Sequence, residues 1–177
     1  MSPTVSSAAD EEVPREEVIE AGEADVSDVL EQESDQAVAS SSPMGGDESQ
    51  LSANFRAAEF DCNDGTPVPE SAIPALQRLC REVLQPLRDT FGPGTVVSGY
   101  RTRSYNDSLR AKSSGVAQNS QHIYDDGPDS VAADMKFESG TPQEWHAAAE
   151  PLLGESGGLG LYQTFIHCDN RSQKARW

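Results

Sequence analysis

The sequence predicts an α+β domain, a small antiparallel sheet with flanking helices, preceded by a segment that joins no core. Three observations carry this expectation. The strongest helical periodicity (residues 71–90) lies in the first half of the folding part. The β-branched and glycine-rich strand runs lie in the second half, the segregation expected of α+β rather than α/β. Charge and aromatic content split the 177 residues at about position 50. Residues 1–50 hold 14 of the 30 Asp/Glu, one basic residue (Arg15) and none of the 11 aromatic side chains, for a net charge of −13. Residues 51–177 set 16 acids against 12 bases and are long enough for a proper core. The first segment is read as an acidic disordered tail and linker, ending in the Ser/Pro/Gly stretch of residues 40–49. Val18, Ile19, Val26, Val29 and Leu30 could line a short helix that orders on an unknown partner, but plain solvated disorder is preferred.

Folding is expected to begin at Leu51. Asn54–Phe60 reads as a short docking turn that inserts Phe55 and Phe60 into the core, and Asp64–Pro69 as turn chemistry. From Ser71 to Thr90, Ile73, Leu76, Leu79, Cys80, Val83, Leu84 and Leu87 recur at three- and four-residue steps, the stripe of an amphipathic helix. Pro74 sits in its first turn, where a missing N–H costs little; Pro86 should kink its last turn, and Phe91-Gly-Pro-Gly94 ends it. Thr95–Ser98 is a short β-branched strand, followed by a short helix near 103–111. Val131–Phe137 is the next strand. Thr141 caps a helix reaching Leu153, with Pro142 first and Glu144 completing a capping box. Gly157–Tyr162 and Thr164–Asp169 read as a close-packed strand pair, and Arg176-Trp177 as a last short strand.

Composition excludes several functions. An acidic chain is a poor ligand for nucleic acid, whose phosphates need Lys/Arg for counterion release, and for anionic membrane surfaces. No stretch approaches the roughly 18 apolar residues of a membrane span. Residues 1–17 have neither the basic nor the apolar region of a Sec signal peptide, so the expected route to any cell-wall substrate is another one, such as phage-type lysis. Cys62, Cys80 and Cys168 form no CxxC pair, which argues against a structural zinc knuckle. Cys62–Cys80 is the local disulfide candidate; three reduced buried thiols is at least as good a reading. A monomer is expected.

The chemistry lies in a few residues. His122 stands in a polar loop, Asn119-Ser-Gln-His122, where a core role explains it poorly. His167 and Asp169 share one face of the strand Phe165–Asp169 by its period of two, with Ile166 and Cys168 on the other. Asp134 interrupts the apolar run Val131-Ala-Ala-Asp-Met135, where a buried carboxylate needs a partner. Two histidines and a carboxylate are the protein ligands of a catalytic zinc, with a fourth position left for water. On spacing alone, scattered surface residues remain the better reading. His146, with Glu150 one turn on, reads as a surface helix pair.

Ser98-Gly-Tyr-Arg-Thr102, Tyr105-Asn106, Asn119-Ser-Gln-His122, Ala132-Ala-Asp-Met135, Gly157-Gly-Leu-Gly-Leu-Tyr162, Phe165-Ile-His-Cys-Asp169 and Ala175-Arg-Trp177 follow one another in an order that resembles the M15-type peptidases. These are D-alanyl-D-alanine carboxypeptidase-like zinc enzymes that cut peptidoglycan stem peptides, and their domain is similar to the zinc domain of hedgehog signalling proteins. The resemblance covers roughly residues 51–177. It implies that His122, Asp134 and His167 bind zinc, and that Arg101 faces the substrate carbonyl or terminal carboxylate. It implies that Ser120 orients His122 or the metal's water, and that Asp169 supports His167 or the strand. Tyr100 and Tyr162 read as mainly structural, with cleft contact, for Tyr100 as a substrate-binding residue, the minority role. The glycines at 157, 158 and 160 allow close backbone packing.

Two departures from the family pattern stand out. Family members commonly space the first His and the Asp seven apart, which would select Asp129; here the Ala-Ala-Asp context and a strand position favour Asp134, twelve residues after His122. Asp125, Asp126 and Asp129 could together hold a second cation, calcium for example, though a solvated acidic loop is the better reading. The general base that several branches place two or three residues before the last ligand is replaced by Phe165 and Thr164, neither of which can serve. Asp169, Asp125, Asp126 or the metal's own hydroxide are the remaining candidates. The expected function is zinc-dependent hydrolysis of an amide bond in peptidoglycan stem or cross-bridge peptides, of D,D-carboxypeptidase or endopeptidase type. The alternative is a catalytically weak or inactive zinc-stabilised module that binds a peptide or protein.

Overall fold

The computed structural model describes residues 50–124 and 130–177. The acidic tail up to residue 49 and the loop carboxylates Asp125, Asp126 and Asp129, with the readings placed on them, lie outside the described residues. Strands β1 (Gly94–Ser98), β2 (Ala132–Phe137), β3 (Gly158–Leu161), β4 (Ile166–Asp169) and β5 (Ala175–Arg176) form one sheet in the order β1-β2-β4-β3-β5. The first four pair antiparallel, while β5 lies parallel to β3 at the edge. With its helices the domain is α+β, as its sequence pattern predicts.

The sheet has two unlike faces because side chains alternate along each strand. Ala133, Met135, Phe137, Leu159, Ile166 and Cys168 join the main core, where they meet the apolar stripe of the long helical segment. That segment runs from Glu70 to Phe91 and is not uniform: a 3₁₀ turn (Glu70–Ala72) leads into α1 (Ile73–Leu79), a π-helical stretch (Cys80–Leu84) and α2 (Gln85–Phe91). Sequence periodicity places the kink at Pro86; the structure places the irregularity just upstream. Pro86 has no N–H to donate, and the Gln85 N–H bonds the carbonyl of Cys80 five residues back, widening the turn. Gly92, at φ 84°, stops the helix.

Helix α3 (Arg103–Lys112) is capped by Thr102, whose hydroxyl accepts from the Tyr105 N–H. Helix α4 (Pro142–Leu153) carries the expected Thr141–Glu144 capping box. Phe55 and Phe60 are fully buried, and Leu51 with them. All three cysteines are free and buried, so the Cys62–Cys80 bridge does not form. Glu150 pairs with Lys174 and Arg176, rather than with His146. Among the described residues no helix is long and apolar enough to cross a membrane.

Candidate functional site

The face of the sheet opposite the main core carries the polar row. Across four neighbouring strands, cross-strand pairing aligns Ser98 with Asp134, Asp134 with His167, and His167 with Gly160. A β-bulge between Val96 and Ser98 makes this alignment, inserting Val97 as the extra residue. Val97 packs with Leu109 and Phe165 in a small second core.

Asp134, His167 and His122 converge on this row and are almost completely buried. His167 Nδ1 lies 2.9 Å from Asp134 Oδ1 and 3.2 Å from His122 Nε2, while His122 Nε2 lies 3.3 Å from Asp134 Oδ1. The outer nitrogens fix both rings. His122 Nδ1 sits 2.7 Å from the Gly99 carbonyl, which can only accept, so that nitrogen carries the proton and Nε2 is a bare lone pair. His167 Nε2 sits 2.9 Å from Asp169 Oδ2 and donates to it. Three acceptor atoms therefore face one another, and a proton or a metal cation must lie among them. The donor set, two imidazole nitrogens and one carboxylate oxygen all within 4.8 Å of one another, fits zinc.

The electrostatics follow from this crowding. Burial, reinforced by Arg101, lowers the His122 pKa to about 4. Burial alone would raise the Asp134 carboxyl, but the two imidazoles outweigh it and hold the group well below the usual carboxylate range. Burial would likewise lower His167, yet the carboxylates of Asp134 and Asp169 raise it.

Arg101 is buried and donates from Nε to Ser98 Oγ (2.8 Å) and from Nη2 to Asp134 Oδ2 (2.9 Å). Its backbone N–H bonds the His122 carbonyl at 2.8 Å, tying the His122 loop to the end of β1. Ser120 Oγ accepts from the His122 N–H at 3.3 Å, so it shapes the loop through its main chain. Asp169 is fully buried; its oxygens are occupied by His167, by the Gly158 N–H and by the Arg171 side chain and backbone. Its Oδ2 bonds His167 Nε2, and Asp169 is not among the residues that line the cleft. Tyr100 packs its ring 5.3 Å from that of Tyr124 beside the main core and is not among the residues that line the cleft.

The cleft over these residues encloses about 250 Å³. Arg101, Ser120, His122, Asp134 and His167 open onto it. Among the lining residues that sequence reasoning did not place at the site are Arg171 and Trp177. Arg171 grips Asp169 while its guanidinium lies 5.6 Å over the Trp177 ring, which itself lies 5.1 Å from His167. The only sequence signal was the Ala-Arg-Trp motif.

A family model described as Peptidase M15 matches residues 50–169. The peptidoglycan L,D-endopeptidase MepK of Escherichia coli (strain K12) and its namesake in Shigella flexneri are each 36% identical to this chain over 88 residues. The matched stretch is 49% of this chain and 44% of the relative, so the chain spans under half the length of the curated relatives it matches. No solved structure matches the chain.

Proposed function

The chain belongs to the M15 peptidase family, and we propose that it is a zinc metallopeptidase acting on an amide bond in peptidoglycan stem or cross-bridge peptides. The observation that carries this reading is the convergence of three candidate ligand atoms, His122 Nε2, Asp134 Oδ1 and His167 Nδ1, in residues that line one cleft. M15 peptidases are metal-dependent. When bound, zinc supplies Lewis acidity for an amide carbonyl and lowers the pKa of a water to about 7.

The chain's own residues do the rest. Asp169 and the Gly99 carbonyl hold the imidazoles with their lone pairs inward. Arg101 neutralises the outer oxygen of Asp134 and opens onto the cleft, where its planar fork suits a developing oxyanion or a terminal carboxylate. The relatives' name favours endopeptidase over D,D-carboxypeptidase chemistry.

One observation favours the second reading, a zinc-stabilised binding module without turnover. Among the described residues lining the cleft, the only carboxylate side chain is that of Asp134, which belongs to the ligand set. Purified protein incubated with muropeptides, with and without chelator, separates the two. The peptidase reading expects cleavage that chelation abolishes and zinc restores; binding without cleavage by the zinc-loaded protein would establish the module instead.

A further inference from the structure

Trp177 has no part in the ligand set, yet the fold fixes it beside that set from several directions. Its N–H donates to the Leu159 carbonyl at 3.2 Å and its carbonyl accepts from Leu161 at 2.9 Å. The indole Nε1 donates to the Tyr162 hydroxyl at 2.9 Å, and Tyr162 stacks on Phe165 with ring centroids 4.4 Å apart. Gly160 gives the ring its space. It occupies the sheet position next to His167, and a Cβ there would stand 2.5 Å from Trp177 Nε1. A side chain on the polar row is thus given up to admit an indole.

Trp177 is still 37% exposed, and among the described residues only Leu152, on α4 and outside the cleft, is a comparably open large apolar residue. Its indole N–H is already bonded and the Arg171 guanidinium lies over the ring, so what it offers the cleft is the remaining apolar, polarisable surface, held in one orientation. The ring centroid is 5.1 Å from that of His167, so a group resting on Trp177 sits within a residue of the bond being cut.

Resting on the reading of this site as a peptidoglycan peptidase, we infer that Trp177, backed by Tyr162 and Phe165, seats the aliphatic side chain flanking the scissile bond and selects for it. Trp177 is a specificity-determining residue, distinct from the groups that act on the amide.

The sequence contains two tryptophans, and Trp145 is buried with its Nε1 on the Ser139 carbonyl. A Trp145→Phe variant therefore reports Trp177 alone. Adding a synthetic stem peptide ending in D-alanine to its zinc-loaded form should shift the emission and saturate at the affinity found by calorimetry. With that peptide as substrate, Trp177→Ala should raise KM roughly 10-fold or more at similar kcat and unchanged zinc content. Trp177→Phe should recover most of the loss, and Gly160→Ala, which displaces the indole without removing it, should reproduce it. Three results would overturn the inference: an unchanged KM, a loss of zinc with kcat falling at constant KM, or peptide binding without any emission change. Binding with the emission change but without hydrolysis would sink the peptidase reading and leave the seat standing. Failure of the peptide to bind at all would overturn both.

Discussion

Arg101 shows how one side chain joins structure to chemistry. Its Nε and Nη2 bond Ser98 and Asp134 at once, in a pocket where the Asp134 side chain is only 3% exposed. The family resemblance implies a substrate-facing fork; the geometry adds a buried bridge to Asp134 and a place on the cleft. Arg101→Lys keeps the charge but cannot span both partners, so a lower Tm is expected together with roughly a 100-fold loss of peptidase activity, the scale of a lost oxyanion donor. A folded, zinc-loaded variant with wild-type turnover would refute the role. Asp169 acts through His167 instead. Asp169→Asn keeps the volume but removes the charge that orients the imidazole, so zinc affinity should fall about 10- to 100-fold, read by competition with a chromophoric chelator. Unchanged affinity would make Asp169 a partner of Arg171 only.

Strand β3 is built around absent side chains. A Cβ at Gly158 would lie 2.1 Å from Asp169 Oδ2, so Gly158→Ala must push the carboxylate away from His167. Zinc binding should weaken as it does in Asp169→Asn, while thermal unfolding of the zinc-free protein moves less than the affinity does. The buried face of the same sheet makes a different prediction. Burial raises the Cys168 thiol well above its ordinary pKa, and burial on the π-helical stretch does the same for Cys80. Both should resist an aromatic disulfide reagent at pH 8 until the chain unfolds. Above about pH 8.5 the unfolded chain loses thiol protons that the folded chain keeps, so these groups make stability fall as pH rises. A flat stability profile between pH 8 and 10 would contradict this.

For the whole molecule, the division at residue 50 rests on composition. A chain of residues 50–177 should fold, bind zinc as the full chain does and keep its Tm within about 2 °C. Failure to fold would move the boundary and give the acidic segment a structural role. The sequence determined the α+β class and the order of elements, because periodicity, caps and breakers act within a few positions of the chain; that His122, Asp134 and His167 belong together was implied by the family resemblance. His122, Asp134 and His167 stood out as polar residues in places that local structure does not explain. What only the tertiary structure decided was register. The bulge that sets Ser98 opposite Asp134, the parallel pairing of β5 with β3, and the space at Gly160 that lets Trp177 in all depend on strands meeting across gaps in sequence. The hydrophobic pattern of each strand fixes which face is buried, but not which residue of a neighbouring strand lies opposite. For that reason His122, Asp134 and His167 could be singled out from the chain, whereas the Arg171 and Trp177 contacts around them became visible only once the sheet was assembled.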